Sequence, residues 1–415
     1  MGKFTRRKFF GYSLLGAVGG MFGWKIWKQN QKGSLGAQNQ QAKNAKKWKP
    51  ITVNSPAKVY FKRIKDGQTL DVWAKETHKL YQKAQFNDIV GKNKLVAVKQ
   101  HFGERGNKGY IKPEITKNII NEIKKKQGKP SLIETNTLYV GSRANSHDHI
   151  LTAYEHGFTM ENMGAPIVIC DGLNGQNQQA IEIPGKHFKA VYIASDVFFF
   201  DSMVVLTHVK GHKLSGMGGA LKNLGMGLAS RAGKLAQHAN FKPSIDWNKC
   251  THCGDCTAWC PAGALYMEKQ GDEEKLIFDK DVCIGCGQCL TICPEHAIKN
   301  SAGYPMEKSC VEKMVEYAMG SISNFNGKVA YVNVVNHISK ICDCYAGPNP
   351  VAGNDVGVFA STDPVALDMA CFDKVKEIHG KDIFKEWYPH ISARHAMKYA
   401  EKLGMGTTKY KLIES

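Results

Sequence analysis

Eight of the thirteen cysteines fall in two runs. They read Cys250-x-x-Cys253-x-x-Cys256-x-x-x-Cys260-Pro261 and Cys283-x-x-Cys286-x-x-Cys289-x-x-x-Cys293-Pro294. Thiolates at two-residue gaps on a tight turn aim three sulfurs at one iron–sulfur cubane, and the fourth ligand comes from the other run. The spacing therefore assigns Cys250, Cys253, Cys256 and Cys293 to one [4Fe-4S] cluster, and Cys283, Cys286, Cys289 and Cys260 to a second. Gly254, Gly285 and Gly287 allow the tight backbone, and the two prolines end the runs. Four-cysteine zinc sites use two separated pairs of thiols instead, so the spacing argues against zinc. Two such clusters pass single electrons, and the pattern does not say to what.

A second concentration of reactive side chains lies at THVKGHKLSGMGGALKNLGMG, residues 207–227, directly after the apolar run Met203–Leu206. Its glycines and lysines suggest a phosphate cradle, but neither G-x-x-x-x-G-K-[ST] nor G-x-G-x-x-G after a tight strand is present. Histidine serves metals and proton transfer, and lysine suits an anionic ligand. His208, Lys210, His212 and Lys222 are thus the candidate catalytic residues, with Lys213 and His238 close by. Other polar residues follow other apolar runs: His101, Glu104 and Arg105; Asn136, Arg143, His147 and His149; and Asp171. Taken one at a time, each reads equally well as a surface group or a helix cap. Cys342-Asp343-Cys344, with His337 nearby, could ligate an additional metal ion, act as a redox dithiol, form a disulfide, or simply be buried. Cys170, Cys310 and Cys371 sit in or beside apolar segments and read as core.

These residues need a frame to bring them together, and the pattern of short apolar runs and helical stretches supplies one. Residues 94–99, 131–135, 166–170, 189–194, 203–209, 328–336 and 356–361 read as strands. Residues 113–127 read as a helix with Ile115, Ile119 and Ile123 on one face, Pro113 near its start and Lys124–Lys126 at its end. Residues 310–319 read as another, and Asp363-Pro364 starts a third. Alternation of strand and helix implies an α/β fold, a mostly parallel sheet with helices on both faces. Ligands bind such sheets beyond the carboxyl ends of the strands. The cysteine runs interrupt this frame as an inserted small α+β ferredoxin-like domain over residues 245–300. The α/β domain takes residues 55–244 before it and 301–415 after it.

At 415 residues the chain exceeds one ordinary core. Its net charge of +19 is uneven: residues 1–50 hold eleven Lys and Arg and no Asp or Glu, leaving +8 for the rest. A nucleic-acid-binding body should show its basic patch in the folded part, so no nucleic-acid partner is expected. The chain opens MGKFTRRKFF, with Arg6-Arg7 ahead of a glycine-rich apolar run to Gly23. This resembles a twin-arginine export signal over residues 1–36, with a polar linker over residues 37–54. The apolar run is short for a membrane span, which needs about 20 apolar residues. Contact with a membrane would come only through this leader if it stays uncleaved. The expected location is periplasmic or membrane-associated, with a basic cytoplasmic terminus as the alternative.

Four stretches resemble the domain-of-unknown-function family 362: HFGERGNKGYIKPE (101–114), ETNTLYVGSRANSHDH (134–149), the 207–227 loop extended to SRAGKLAQH (230–238), and CDCYAGPNPVAGNDVGVFASTDPVALD (342–368). The resemblance covers residues 55–405. It implies the α/β fold and iron–sulfur clusters, since many members carry a ferredoxin unit at this place, and it brings no settled substrate. The expected function is an exported redox enzyme whose two [4Fe-4S] clusters serve a ligand site near residues 207–227. It would work with a redox partner and take a small anionic substrate. The alternatives are a non-catalytic electron-transfer module and a metal-handling or maturation protein.

Overall fold

A computed structural model describes residues 46–50, 55–86, 89–138, 141–238, 243–258, 260, 263–283, 289, 293–300, 307–347 and 349–415. The segment expected to be a twin-arginine leader (residues 1–36), residues 37–45 and 51–54 of the expected linker, and Cys286 lie outside the described residues. Eight strands build the main sheet: β1 (Ala57–Arg63), β2 (Leu95–Lys99), β3 (Lys129–Glu134), β4 (Ile167–Ile169), β5 (Ser202–His208), β6 (Val329–Val335), β7 (Gly357–Ser361) and β8 (Tyr410–Glu414). Their order across the sheet is β8-β1-β7-β6-β5-β2-β3-β4. Only β7 runs against the others.

The central strands are buried along their whole length. Every residue of Ser-Met-Val-Val-Leu-Thr-His in β5 and of Val-Ala-Tyr-Val-Asn-Val-Val in β6 is inside. Continuous apolar runs of this kind suit a parallel sheet covered on both faces. The period-two alternation then divides them. Ala97, Ile133, Met203, Val205, Tyr331 and Phe359 pack into one core. Val96, Val98, Leu132, Val204, Val332 and Val358 pack into the other.

Helices α1 (Leu70–Lys83) and α2 (Pro113–Lys125) cover the second face through Trp73, Leu80, Ile115 and Ile119. Helix α3 (Ser146–Glu155) follows β3, and α4 (Ala220–Gly225) and α5 (Arg231–His238) follow β5. The first face is covered by α4, α6 (Glu307–Ile322), α7 (Pro364–His379) and α8 (Ala393–Lys402). Helix α7 starts as its sequence dictates. Asp363 caps it by accepting N–H bonds from Val365 and Ala366, both at 2.9 Å, and Pro364 takes the first position. Among the described residues no helix is long and apolar enough to cross a membrane.

The strand expected at residues 189–194 forms, but not in the main sheet. Ala190–Ala194 pairs antiparallel with Gln178–Glu182 in a side sheet. Its neighbour there is in place through a short connection, and the 3-10 turn Ser195–Phe199 separates it from β5. Glu316 of α6 holds the connection. Its buried carboxylate accepts N–H bonds from Lys186 (2.8 Å), His187 (3.0 Å) and Phe188 (2.9 Å), and the Tyr399 hydroxyl donates to it at 2.6 Å. Removing this acceptor orphans several buried donors at once. Glu316→Ala is therefore expected to cost about 2–4 kcal/mol, read as a lowered denaturant midpoint with an unchanged slope.

The segment carrying the cysteine runs begins and ends side by side. Pro243–Ile245 pairs antiparallel with Ile298–Asn300. Between them lies the hairpin Leu265–Gln270/Glu273–Phe278. Cys256, Leu265, Leu276, Cys289 and Ile298 make a small core of their own, apart from the two cores of the main sheet.

Candidate functional site

The glycine-rich stretch is neither a cradle nor a plain turn. Past the end of β5 the chain forms a tight hairpin, Lys210–His212 against Gly216–Gly218, and then enters α4. Gly216 takes φ +73°, a left-handed conformation that glycine adopts without a Cβ clash. The amino end of α4 is already occupied. Asp368 of α7 accepts N–H bonds from Ala220 (2.8 Å) and Leu221 (3.0 Å). It comes so close that a Cβ on Gly219 would lie 2.4 Å from its Oδ1. That carboxylate sits where a phosphate cradle at this helix would bind its anion.

Around the hairpin lies a cavity of about 570 Å³ at the carboxyl ends of β2, β3 and β5. His101, Glu134, Thr135 and Thr207 come to it from the strand ends, and Arg143 comes from the loop before α3. His208, Lys210, His212 and Lys213 come from the hairpin. Lys222, Lys234 and His238 come from α4 and α5, and Cys344 closes one wall. All four candidate catalytic residues thus line one cavity. Of the other strand-end candidates, Arg105 is exposed and pairs with Glu155 at 2.6 Å, and His147 is exposed and pairs with Asp148 at 3.1 Å. His149 is buried against Phe102, and His337 is exposed. None of these four lines the cavity.

Hydrogen bonds fix what each histidine can offer. The Ser215 hydroxyl donates to the Met217 carbonyl at 2.9 Å, so it accepts from His212 Nδ1–H at 2.9 Å. The lone pair of His212 is therefore on Nε2. Burial, then Lys222 and His238, hold its pKa well below the usual histidine value, so the ring is a neutral acceptor. His238 donates from Nδ1 to the Lys234 carbonyl at 2.7 Å and likewise keeps an Nε2 lone pair. His208 is different. Its Nδ1 faces Asp343 Oδ2 at 2.9 Å and its Nε2 faces the Asn336 carbonyl at 2.7 Å. With acceptors on both sides it has no nitrogen left for a ligand.

The charges are buried and mostly paired. Asp343 takes Lys210 Nζ at 2.7 Å as well as His208. Burial pushes the Asp343 carboxyl up, but His208 and Lys210 outweigh it and hold the group well below the usual carboxylate range. Lys99, at the end of β2, reaches Glu134 at 2.8 Å and Asn223 at 2.9 Å. Arg143 donates to Glu104 at 3.1 Å and stands 3.1 Å from His101 Nε2. Lys234 donates to Thr135 Oγ1 at 2.5 Å and to the Ala229 carbonyl at 2.7 Å, and burial pulls its ammonium down to about 8. Lys222 Nζ lies 3.2 Å from Cys342 Sγ. Burial lowers this ammonium too, but Cys342 and Cys344 more than offset it and hold its pKa above the ordinary lysine value. Lys99, Lys234, Glu134 and Asp343 were not legible as site residues: each meets its partners only across strand and loop crossings.

The Cys342 sulfur is buried and accepts both the Lys222 ammonium and the Cys344 N–H, the latter at 3.4 Å. Donation from the Cys344 thiol holds Cys342 well below the usual thiol range; burial opposes this, and Lys222 and Lys210 assist it. Cys170, Cys310 and Cys371 are buried, as their apolar surroundings imply.

In the cysteine segment, burial pushes the Cys256 thiol up to about 12, and Cys253, Cys250 and Cys293 act in the same direction. The Ala264 N–H donates to Cys260 Sγ at 3.2 Å and the Ala297 N–H donates to Cys293 Sγ at 3.3 Å. Gly254 takes φ +83° between the second and third cysteines of the first run. Among the described residues no three or more His, Cys, Asp or Glu form a group that could hold a metal ion.

The family described as Domain of unknown function (DUF362) matches residues 96–373, and the chain belongs to that family. No curated protein matches it. Among solved structures, the lactate racemase apoprotein from Thermoanaerobacterium thermosaccharolyticum aligns over 78% of this chain and 57% of its own, at 12% identity and a TM-score of 0.38. A protein from Thermotoga maritima aligns over 82% of this chain and 61% of its own, at 11% identity and a TM-score of 0.36. The chain therefore spans less than two thirds of either structure's length.

Proposed function

We propose that this chain is an exported iron–sulfur protein that carries two [4Fe-4S] clusters in an inserted ferredoxin-type domain and acts as a redox enzyme on a small anionic substrate bound in the cavity. The observation that carries the catalytic part is the cavity itself. Lys213, Lys222, Lys234 and Arg143 line it together with two neutral histidines that each keep an Nε2 lone pair. A protein that only relays electrons needs no such cavity.

Cationic side chains in a buried cavity hold an anion with charge-assisted bonds. His212 Nε2 is the group placed to take a proton from a bound ligand, since its ring is kept neutral. His208 and Asp343 position Lys210 rather than touch the ligand.

The cysteine spacing supports the clusters: it assigns Cys250, Cys253, Cys256 and Cys293 to one cubane, and Cys260 and Cys293 accept backbone N–H bonds of the kind that support cluster sulfurs. Cys283, Cys286, Cys289 and Cys260 would hold the second cluster. When bound, the clusters supply electrons one at a time.

Iron analysis of anaerobically purified protein tests the reading, with about eight irons per chain expected. Stoichiometric zinc in place of iron would remove the redox reading. One equivalent of a further metal besides eight irons would favour the metal-handling alternative.

The cavity also predicts a pH limb. Lys234 is charged below about 8 and neutral above it. Binding of a small carboxylate, followed by calorimetry, should weaken as pH rises through that value, by roughly 10- to 100-fold for the loss of one charge-assisted bond. Lys234→Arg should hold its charge and flatten the limb.

A further inference from the structure

We propose that Cys342 and Cys344 form a reversible dithiol–disulfide couple at the cavity wall, a two-electron store whose reduced form is held ready by Lys222. Three observations place it. The two thiols lie within hydrogen-bonding reach of each other, the Cys344 thiol donating to the Cys342 sulfur. The Cys342 sulfur is buried, and its counter-charge is the Lys222 ammonium at 3.2 Å, with Lys210 also near. Cys344, by contrast, lines the cavity and is partly open to it. One sulfur is thus enclosed beside a fixed cation and the other faces the ligand space.

The same ammonium argues against a metal at this pair. A cation bound to both sulfurs would have to sit beside Lys222, and no third ligand group joins the two among the described residues. An isolated buried cysteine needs no such partner and behaves as a small apolar residue, whereas a stabilised thiolate next to a second thiol is the arrangement of a redox pair.

The step balances simply. The Cys342 thiolate and the Cys344 thiol lose two electrons and one proton, and a bond forms between their sulfurs. With a soluble disulfide as oxidant, its S–S bond breaks, and it leaves as one thiolate and one thiol that carries the Cys344 proton. Inside the protein the acceptors would be two one-electron centres, and that assignment rests on the iron–sulfur reading above; the couple itself does not. Lys222 loses its anionic partner on oxidation, so a full positive charge is released at the cavity wall. Oxidation should therefore tighten the binding of an anion.

The test is differential thiol labelling of the full-length protein in dithiothreitol buffers of graded potential, read by mass spectrometry on the peptide holding both cysteines. A loss of two hydrogens from that peptide, at one two-electron midpoint and reversed by reductant, is the expected result. Because the Lys222 ammonium beside it favours the thiolate form of Cys342, the midpoint should move with pH less steeply than that of an ordinary two-proton dithiol. Lys222→Gln should steepen that slope toward the two-proton value, and wild type alone suffices if the variant does not fold. Two cysteines that stay alkylatable across the whole range would overturn the proposal. So would two cysteines shielded without loss of hydrogen until a chelator is added, which would mark a metal site. Iron content is measured on the same sample, so failure of the cluster reading and failure of the couple are seen separately.

Discussion

Lys99→Met is expected to cost about 3–5 kcal/mol, one of the largest losses available to a single substitution in this chain. Lys99 is fully buried and Glu134 is 3% exposed, at 2.8 Å from each other. Burial pulls the Lys99 ammonium down, and Glu134 supports its charge against that pull. Removing the cation leaves a carboxylate inside the protein with the Thr135 N–H at 2.6 Å but without its paired ammonium, and it strips Asn223 Oδ1 of its donor. Restoring charge balance is the informative control. The double variant Lys99→Met, Glu134→Leu should recover most of the loss, since a buried pair replaced by apolar groups of similar volume is often nearly neutral. Chemical denaturation of the two variants and the parent measures both numbers. Equal losses in the single and double variants would mean that packing, not charge, holds this end of β2 to β3. A Cβ on Gly227 would lie 2.6 Å from Lys99 Nζ, so the lysine tip also runs tight against the chain just past α4.

Asp343→Asn should be comparably severe, about 3–5 kcal/mol near neutral pH, because the buried Lys210 ammonium loses its anion and His208 loses its carboxylate partner. Its pH dependence separates it from a packing defect. The folded-state pKa of Asp343 is depressed well below its ordinary value of 3.8. Its contribution is therefore fully present above that ordinary value and is lost as pH falls through the folded pKa. The parent and Asp343→Asn should differ most above pH about 5 and converge toward strong acid. A difference that stays constant down to the acid limb would assign the loss to shape. Lys210→Met combined with Asp343→Asn should soften the penalty by removing the stranded ammonium.

The sequence carried the strands and the chemistry of their ends better than the links between them. Residues 94–99, 131–135, 166–170 and 203–209 read as strands because their apolar runs are continuous, and they form the parallel side of the sheet. His101, Arg143, His208, His212 and Lys222 could be nominated from their places after those runs, and they line one cavity. Lys99 could not, because a lysine closing a strand reads as the point where the chain meets solvent, and only Glu134 on the adjacent strand turns it inward. Asp343 could not, because the strand order that sets β6 beside β5 is not written in chain order. The link from Lys222 to Cys342 spans more than a hundred residues. In the cysteine segment the expectation rests on spacing alone, three ligands of each set being close in sequence and the fourth lying in the other run.

The place of β1 in the sheet bears on how the protein folds. β1 is bonded on one side to β7 and on the other to β8, and both come from the far end of the sequence. Until β7 and β8 have been made, β1 has no partner on either edge. Contact order is correspondingly high, and loop closure must be met before the pairing rewards it. The β2–β3–β4 unit can settle early, since each of those strands meets its neighbour after a short crossover, whereas the β1–β7–β8 edge is assembled late and slowly. Completion of this sheet therefore waits on β7 and β8.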